Sequence, residues 1–188
     1  RKGDGMLVSD NTLYRNIFDH ISSVAGRYSG KIKGWDVVNE AILDDGSYRE
    51  NDFYKISADE YIFKSFEIAH KIDPNAELYY NDFSMYKPEK CDAAIRIANK
   101  ILERGLRIDG IGLQAHWGLD YPSIDEIETS ILKIHEAGFR VHFTELDIDV
   151  LPNLWEIEGA DLSDNFKSND QLNPVSYTHL TLPTNRCV

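Results

Sequence analysis

No run of about 18 apolar residues occurs in the chain, so no segment reads as a membrane-spanning helix. Clustered bases are missing as well. The 20 Lys and Arg are outnumbered by 32 acids and lie scattered, so the surface that neutralises phosphates in a nucleic-acid binder is absent. The formal charge of −12 serves solubility and suits a neutral or weakly charged substrate. Cysteine is scarce: Cys91 and Cys187 make no disulfide framework in 188 residues. Cys91 falls on an expected helix and reads as a small buried hydrophobe. No apolar signal region stands at Arg1, where the sequence starts abruptly, as a cut rather than a native terminus. Low-complexity segments and repeats are also missing. With 42% hydrophobic residues the chain has enough apolar surface for the core of one ordinary domain.

What is present is a recurring unit of short apolar strand, loop and amphipathic helix. Leu13, Ile17, Ile21 and Val24 mark a first helix, with Asp10 as its cap. Gly34 to Val38 reads as a strand. Ser57 opens the next helix, with Glu60 completing a capping box; Ile62, Phe66, Ala69 and Ile72 form its apolar face, and Pro74 ends it. Glu77 to Asn81 is the second strand. Pro88 suits a first helical turn, Cys91, Ala94, Ala98, Ile101 and Leu102 form a buried stripe, and Gly105 closes it. Asp109 to Gln114 is the third strand. Ser123 and Glu126 make a second capping box before Ile127, Ile131 and Ile134, with Gly138 as the stop. Arg140 to Glu145 is the fourth strand. Strands alternating with helices predict a parallel sheet covered by helices. Either an open doubly wound sheet or a segment of a (β/α)8 TIM barrel fits; a whole barrel needs about 250 residues, so this chain supplies about half of one. Past Val150 the pattern decays into a polar stretch with Trp155 and Phe166 as isolated aromatics.

Each strand is apolar until its carboxyl end, where polar residues gather: Asn39 and Glu40, Asn81 and Asp82, Gln114 and His116, Glu145 and Asp147. Active sites of parallel α/β proteins lie at that rim. Glu40 and Glu145 fit glycoside hydrolysis, which needs one carboxylic acid to protonate the leaving oxygen and one ionised carboxylate. The competing reading makes each a solvated loop carboxylate or a salt-bridge partner. His116, His142, Glu145 and Asp147 invite a metal, but no close-spaced ligand signature appears. Strand alternation turns His142 away from positions 143, 145 and 147, and so to the outside of a barrel. Gly110 to Ala115 formally matches a dinucleotide fingerprint but has no strand before it and no helix after it; small residues in a tightly packed strand account for it better. Trp35, at a strand start, reads as core. Trp117, past a strand end, fits a sugar-stacking platform or packing equally.

Four segments carry a resemblance: Trp35 to Ala41 (WDVVNEA), Leu78 to Phe83 (LYYNDF), Gly110 to Trp117 (GIGLQAHW) and Phe143 to Ile148 (FTELDI). In this order and spacing they resemble the family 10 glycoside hydrolases, over residues 5 to 174. The resemblance implies an incomplete (β/α)8 TIM barrel, with these as strands four to seven. It implies a retaining endo-1,4-β-xylanase that cleaves internal bonds of xylan by double displacement, with Glu40 as acid/base and Glu145 as nucleophile. Their carboxyl groups are then expected about 5–5.5 Å apart. Asn39 bonds the sugar 2-hydroxyl, Gln114 lines the cleft, His116 bonds Glu145 and Asp147 holds His116; Asn81, Asp82 and Trp117 are substrate-binding or supporting residues. No cofactor and no metal is needed. The partner is xylan or a xylo-oligosaccharide, with no nucleic acid and no membrane, in a protein that is monomeric and, given its substrate, secreted or periplasmic. The family's first three strands with their sugar-gripping Lys, His and Trp, and its eighth strand, have no counterpart here. Residues 1–174 are read as the partial catalytic barrel and 175–188 as a tail that does not continue the family pattern. A non-catalytic carbohydrate-binding protein on the same fold and an inert truncated chain are the rivals; binding alone needs neither glutamate.

Overall fold

The computed structural model describes residues 5–119 and 121–149. Expectations for Cys187, Trp155, Phe166 and the 175–188 tail lie outside the described residues. Helix α1 spans Asp10–Tyr28, strand β1 Gly34–Asn39, and helices α2 and α3 Asp52–Ser57 and Glu60–Ile72. Then follow β2 (Glu77–Asp82), α4 (Pro88–Glu103), β3 (Gly110–Leu113), β4 (His116–Gly118), α5 (Ile124–Glu136), β5 (Arg140–Phe143) and β6 (Asp147–Asp149). The strands β1, β2, β3 and β5 form a parallel sheet in chain order. The four predicted strands are therefore neighbours in chain order, each joined to the next by the helical crossover that parallel pairing needs.

The two faces of the sheet differ. Leu78, Tyr80, Ile111 and Leu113 are buried together with Ile62 and Phe66 of α3, Ile97 and Ile101 of α4, and Ile134 of α5. Each such aliphatic side chain taken fully out of water contributes about 1.5–3 kcal/mol. The opposite face, the one that lines a closed barrel, carries Tyr79, Asn81, Gly110 and Gly112. Glycine is needed there. A Cβ on Gly110 would lie 2.7 Å from the Tyr79 ring and one on Gly112 would lie 2.5 Å from Asn81 Oδ1. The two glycines let Tyr79 and Asn81 lie across β3, and a strand rather than a helix follows them at His116. That removes the dinucleotide reading.

Several local expectations hold for the stated reasons. Pro88 is at the start of α4, Gly105 (φ +71°) and Gly138 (φ +90°) follow helix ends in the left-handed region, and Ser123 and Glu126 form a reciprocal capping box. Others are corrected. Ser9, not Asp10, caps α1, its hydroxyl accepting from the Thr12 amide. Ser57 opens no helix: it ends the short α2, with its hydroxyl turned back onto the Phe53 carbonyl at 3.2 Å. Ala58, at φ +50°, then breaks the chain direction before α3. Asp59, which precedes α3, makes no side-chain cap bond because its carboxylate is taken by Tyr48 and Lys100. Leu102 and Val24 are exposed; the inward face of α4 runs through Ala93, Ala94, Ile97, Ala98 and Ile101 and has rotated past position 102. Trp35 is half-buried against the core and donates Nε1–H to Asp73.

Candidate active site

The backbone ladder continues one step past the strand ends. The amide of Glu40 donates to Asn81 O (3.0 Å), that of Gln114 to Asp82 O (3.0 Å), and that of Glu145 to Gln114 O (3.2 Å). A second small parallel sheet, β4 with β6, pairs His116 with Asp147. Three non-glycine residues just past strand ends have left-handed backbones: Glu40 (φ 56°), Ser84 (φ 51°) and Ala115 (φ 63°). Each such residue costs about 1–3 kcal/mol, and strain of this kind collects where a site dictates side-chain direction.

The rim brings Asn39, Glu40, Asn81, Gln114, His116, Glu145 and Asp147 into one hydrogen-bonded system. Asn39 Oδ1 accepts from both Asn81 Nδ2 (3.0 Å) and Gln114 Nε2 (3.0 Å). Gln114 Nε2 also reaches Glu40 Oε1 at 3.1 Å, and Asn81 Nδ2 reaches Glu145 Oε1 at 3.2 Å. The two carboxyl groups are therefore joined through three amides. Asn81 and Gln114 are almost wholly buried, whereas Glu40 and Glu145 keep 39% and 45% of their side-chain surface, so the amides are scaffold and the carboxyls are accessible. Asn81 is itself fixed by Thr144, whose hydroxyl donates to Asn81 Oδ1 at 2.8 Å.

His116 lies between two carboxylates. Its Nδ1 is 2.9 Å from Asp147 and its Nε2 is 3.3 Å from Glu145 Oε2. A neutral imidazole has one N–H, so bonding both acceptors at once requires the imidazolium. Burial works against that charge, but the hydrogen bond and charge of Asp147, then those of Glu145, outweigh it and raise the His116 pKa above its ordinary value. A group with a raised folded pKa adds stability below its unfolded pKa, and that contribution is lost as pH rises through the folded one. We expect the His116 ring-proton NMR titration to have its midpoint above about 6.5 and to move down in Asp147→Asn. A midpoint at or below that value, unmoved by the substitution, contradicts the arrangement.

Two placements are corrected, those of Asp82 and His142, and of the two readings left open for Trp117 the structure favours packing. Asp82 does not face the rim. It is wholly buried on the helix side, accepting from Tyr80 (2.5 Å), Lys90 (2.9 Å) and the Phe83 amide. Trp117 alternates away from His116 along β4 and meets Phe143 edge-on at 5.6 Å, so the geometry favours packing. His142 pairs in register with Gly112 and tilts against Tyr79 at 5.4 Å, so it faces the barrel-lining side. Alternation misplaced it because β5 ends at Phe143 and the chain bends before Glu145. Among the described residues no group of three or more His, Cys, Asp or Glu side chains is arranged to hold a metal.

Other members of the site were missed in the sequence. Arg49 donates Nε–H to the Glu40 carbonyl at 2.9 Å and brings its guanidinium to 4.0 Å from Glu40 Oε2. It comes from a loop with no periodicity to mark it. Asp36, three residues before Asn39 on β1, keeps an exposed side chain, yet partial desolvation raises its pKa, an effect His142 opposes and Glu145 reinforces. Its place inside an apolar strand was the available signal.

Comparisons with known proteins identify the family. The model of glycosyl hydrolase family 10 matches residues 4–178. Endo-1,4-beta-xylanase A of Xylanibacter ruminicola is 47% identical over 171 residues, which is 91% of this chain and 46% of that protein. A solved GH10 endoxylanase from a sugarcane soil metagenome superposes with a TM-score of 0.78 at 43% identity, covering 82% of this chain and 46% of its own. The chain thus spans about half the length of each of these two relatives. TsXylA, an intracellular xylanase of Thermoanaerobacterium saccharolyticum, is solved as two single glutamate-to-alanine variants, one with xylotetraose and one with xylotriose (TM-scores 0.71 and 0.73, identities 34% and 32%). These cover 75% and 87% of this chain and 45% and 48% of TsXylA.

Proposed function

Because the chain belongs to glycosyl hydrolase family 10, we propose that it is the catalytic half of a retaining endo-1,4-β-xylanase, with Glu40 as acid/base and Glu145 as nucleophile. Its fold is the corresponding part of a (β/α)8 barrel. The observation that carries the assignment is the unequal hydrogen bonding of the two carboxyls. Glu145 is an acceptor at both oxygens, from Asn81 and from His116. That leaves it arranged as the anion that attacks. Glu40 accepts from Gln114 and, at 3.4 Å, from Asn39, both at Oε1. Its Oε2, 4.0 Å from the Arg49 guanidinium and beyond hydrogen-bond reach of it, is the oxygen presented to the leaving group. The two glutamates replaced in TsXylA stand the same number of residues apart as Glu40 and Glu145, which supports the pairing.

In the first step Glu145 attacks the anomeric carbon while Glu40 protonates the departing glycosidic oxygen. In the second, Glu40 removes a proton from water, which attacks the same carbon and releases Glu145. Asn39, whose Nδ2 makes only a long bond, has a donor available for the 2-hydroxyl of the sugar. The substrate is xylan or a xylo-oligosaccharide, handled by a monomer, outside the cell or in the periplasm. The family match runs over residues 4–178, past the boundary at 174 expected from the sequence.

The test compares the 188-residue chain alone with a complete barrel carrying it, on xylan, following product anomers by proton NMR. The complete barrel is expected to release β-anomers first. The chain alone should hydrolyse little, because β1 and β5 end the described sheet as open edges and binding contacts beyond it orient and distort the sugar. Initial release of α-anomers, or equal rates from both proteins, contradicts the proposal.

A further inference from the structure

We infer that Tyr80 is a positioning residue for the general acid, fixing the backbone of Glu40 through a buried network on the opposite side of the sheet. This rests on the reading of Glu40 as acid/base.

Glu40 holds a left-handed backbone at φ 56°. For a residue with a side chain that conformation persists only where its surroundings impose it. The peptide joining Glu40 to Ala41 is tied at both ends. Its carbonyl accepts from Arg49 Nε at 2.9 Å, and its N–H donates to the Tyr80 hydroxyl at 3.1 Å. With the Glu40 amide also donating to Asn81 O, both torsions flanking the Glu40 Cα are held, and the direction of the carboxyl follows from them. Of these ties the Arg49 bond comes from a half-exposed side chain, whereas Tyr80 is wholly buried.

Tyr80 is aimed by a chain of charges. Its hydroxyl donates to Asp82 Oδ2 at 2.5 Å, which turns a lone pair toward the Ala41 amide. Asp82 Oδ1 accepts from Lys90 at 2.9 Å, and Lys90 lies 3.4 Å above the Phe83 ring and reaches Asp44 at 3.2 Å. Tyr80, Asp82 and Lys90 have no solvent exposure, and none reaches the cleft. Well-packed apolar residues often fill such a space as stably as a buried ion pair. What this network adds is a fixed acceptor directly beneath the acid.

The test is Tyr80→Phe in the complete barrel, which removes one oxygen. kcat/KM is measured on phenyl and 2,4-dinitrophenyl β-xylobiosides beside Glu40→Ala. Displacing the acid should cost roughly 10–100-fold on the phenyl substrate, which needs a proton in the transition state. On the dinitrophenyl substrate the change should stay within about twofold, because its leaving group departs without one. A merely structural role lowers both in proportion to folded protein, and that result overturns the inference. If Glu40→Ala itself shows no leaving-group dependence, the acid/base reading fails instead. Should the single variant not fold, Tyr80→Phe/Asp82→Leu/Lys90→Met dismantles the network without orphaning Asp82 or Lys90. It is expected to show the same contrast, and proportional losses there are equally decisive. A crystal structure of either variant should show Glu40 φ or its carboxyl displaced; both unchanged overturns the inference.

Discussion

Glu145→Ala in a complete barrel is expected to reduce xylan hydrolysis by ~10⁴-fold or more, on good and poor leaving groups alike. If Glu145 is the nucleophile, the loss is indifferent to leaving group, because its bond to the anomeric carbon is then part of every first step. The two groups that contact it, Asn81 and His116, are amide and imidazole donors; neither replaces a carboxylate nucleophile. Azide placed in the cavity left by the side chain attacks from the same face and should give an α-xylosyl azide. Retained activity on either substrate contradicts the nucleophile assignment.

Glu40→Ala should behave differently. On xylan and phenyl β-xylobioside the loss is expected at ~10²–10⁴-fold, the range of a general acid. On the dinitrophenyl substrate the first step should proceed nearly unimpaired, with the covalent intermediate accumulating because water has lost its base. Azide, which needs no base, should then restore turnover and give a β-xylosyl azide. The opposite azide anomers from the two variants separate the roles of two glutamates that share the amides of Asn39, Asn81 and Gln114. Equal losses of Glu40→Ala across leaving groups contradict its role as acid.

The sheet was legible because helix and strand periodicities alternate cleanly from Gly34 to Phe143, and because apolar strands turned polar only at their carboxyl ends. That pattern alone placed Asn39, Glu40, Asn81, Gln114 and Glu145 on one rim. It failed where side-chain alternation was extended past the end of a strand. Phe143 closes β5 and the chain bends, so His142 lies on the barrel-lining face despite its odd-even phase with Glu145. It also failed for Asp82, which sits one residue beyond Asn81 and so on the other side of the sheet, where Lys90 from α4 meets it. A pairing between residues of different elements leaves no periodic trace. Arg49 is the same case, reaching Glu40 from a loop nine residues on. Helix starts were misread at Ser57, which closes a helix too short to show a period, and at Asp10, one residue past the Ser9 cap.

A nucleophilic Glu145 forms a bond to the anomeric carbon. The most direct measurement traps that bond with 2,4-dinitrophenyl 2-deoxy-2-fluoro-β-xylobioside. The fluorine slows both steps, and the activated leaving group lets the first outrun the second. Intact-mass spectrometry of the complete barrel should show one added fluoroxylobiosyl unit, and peptide mapping should place it on the peptide containing Glu145, with none in Glu145→Ala. Label on the peptide containing Glu40, or turnover with no covalent adduct and α-anomeric product, would contradict the account.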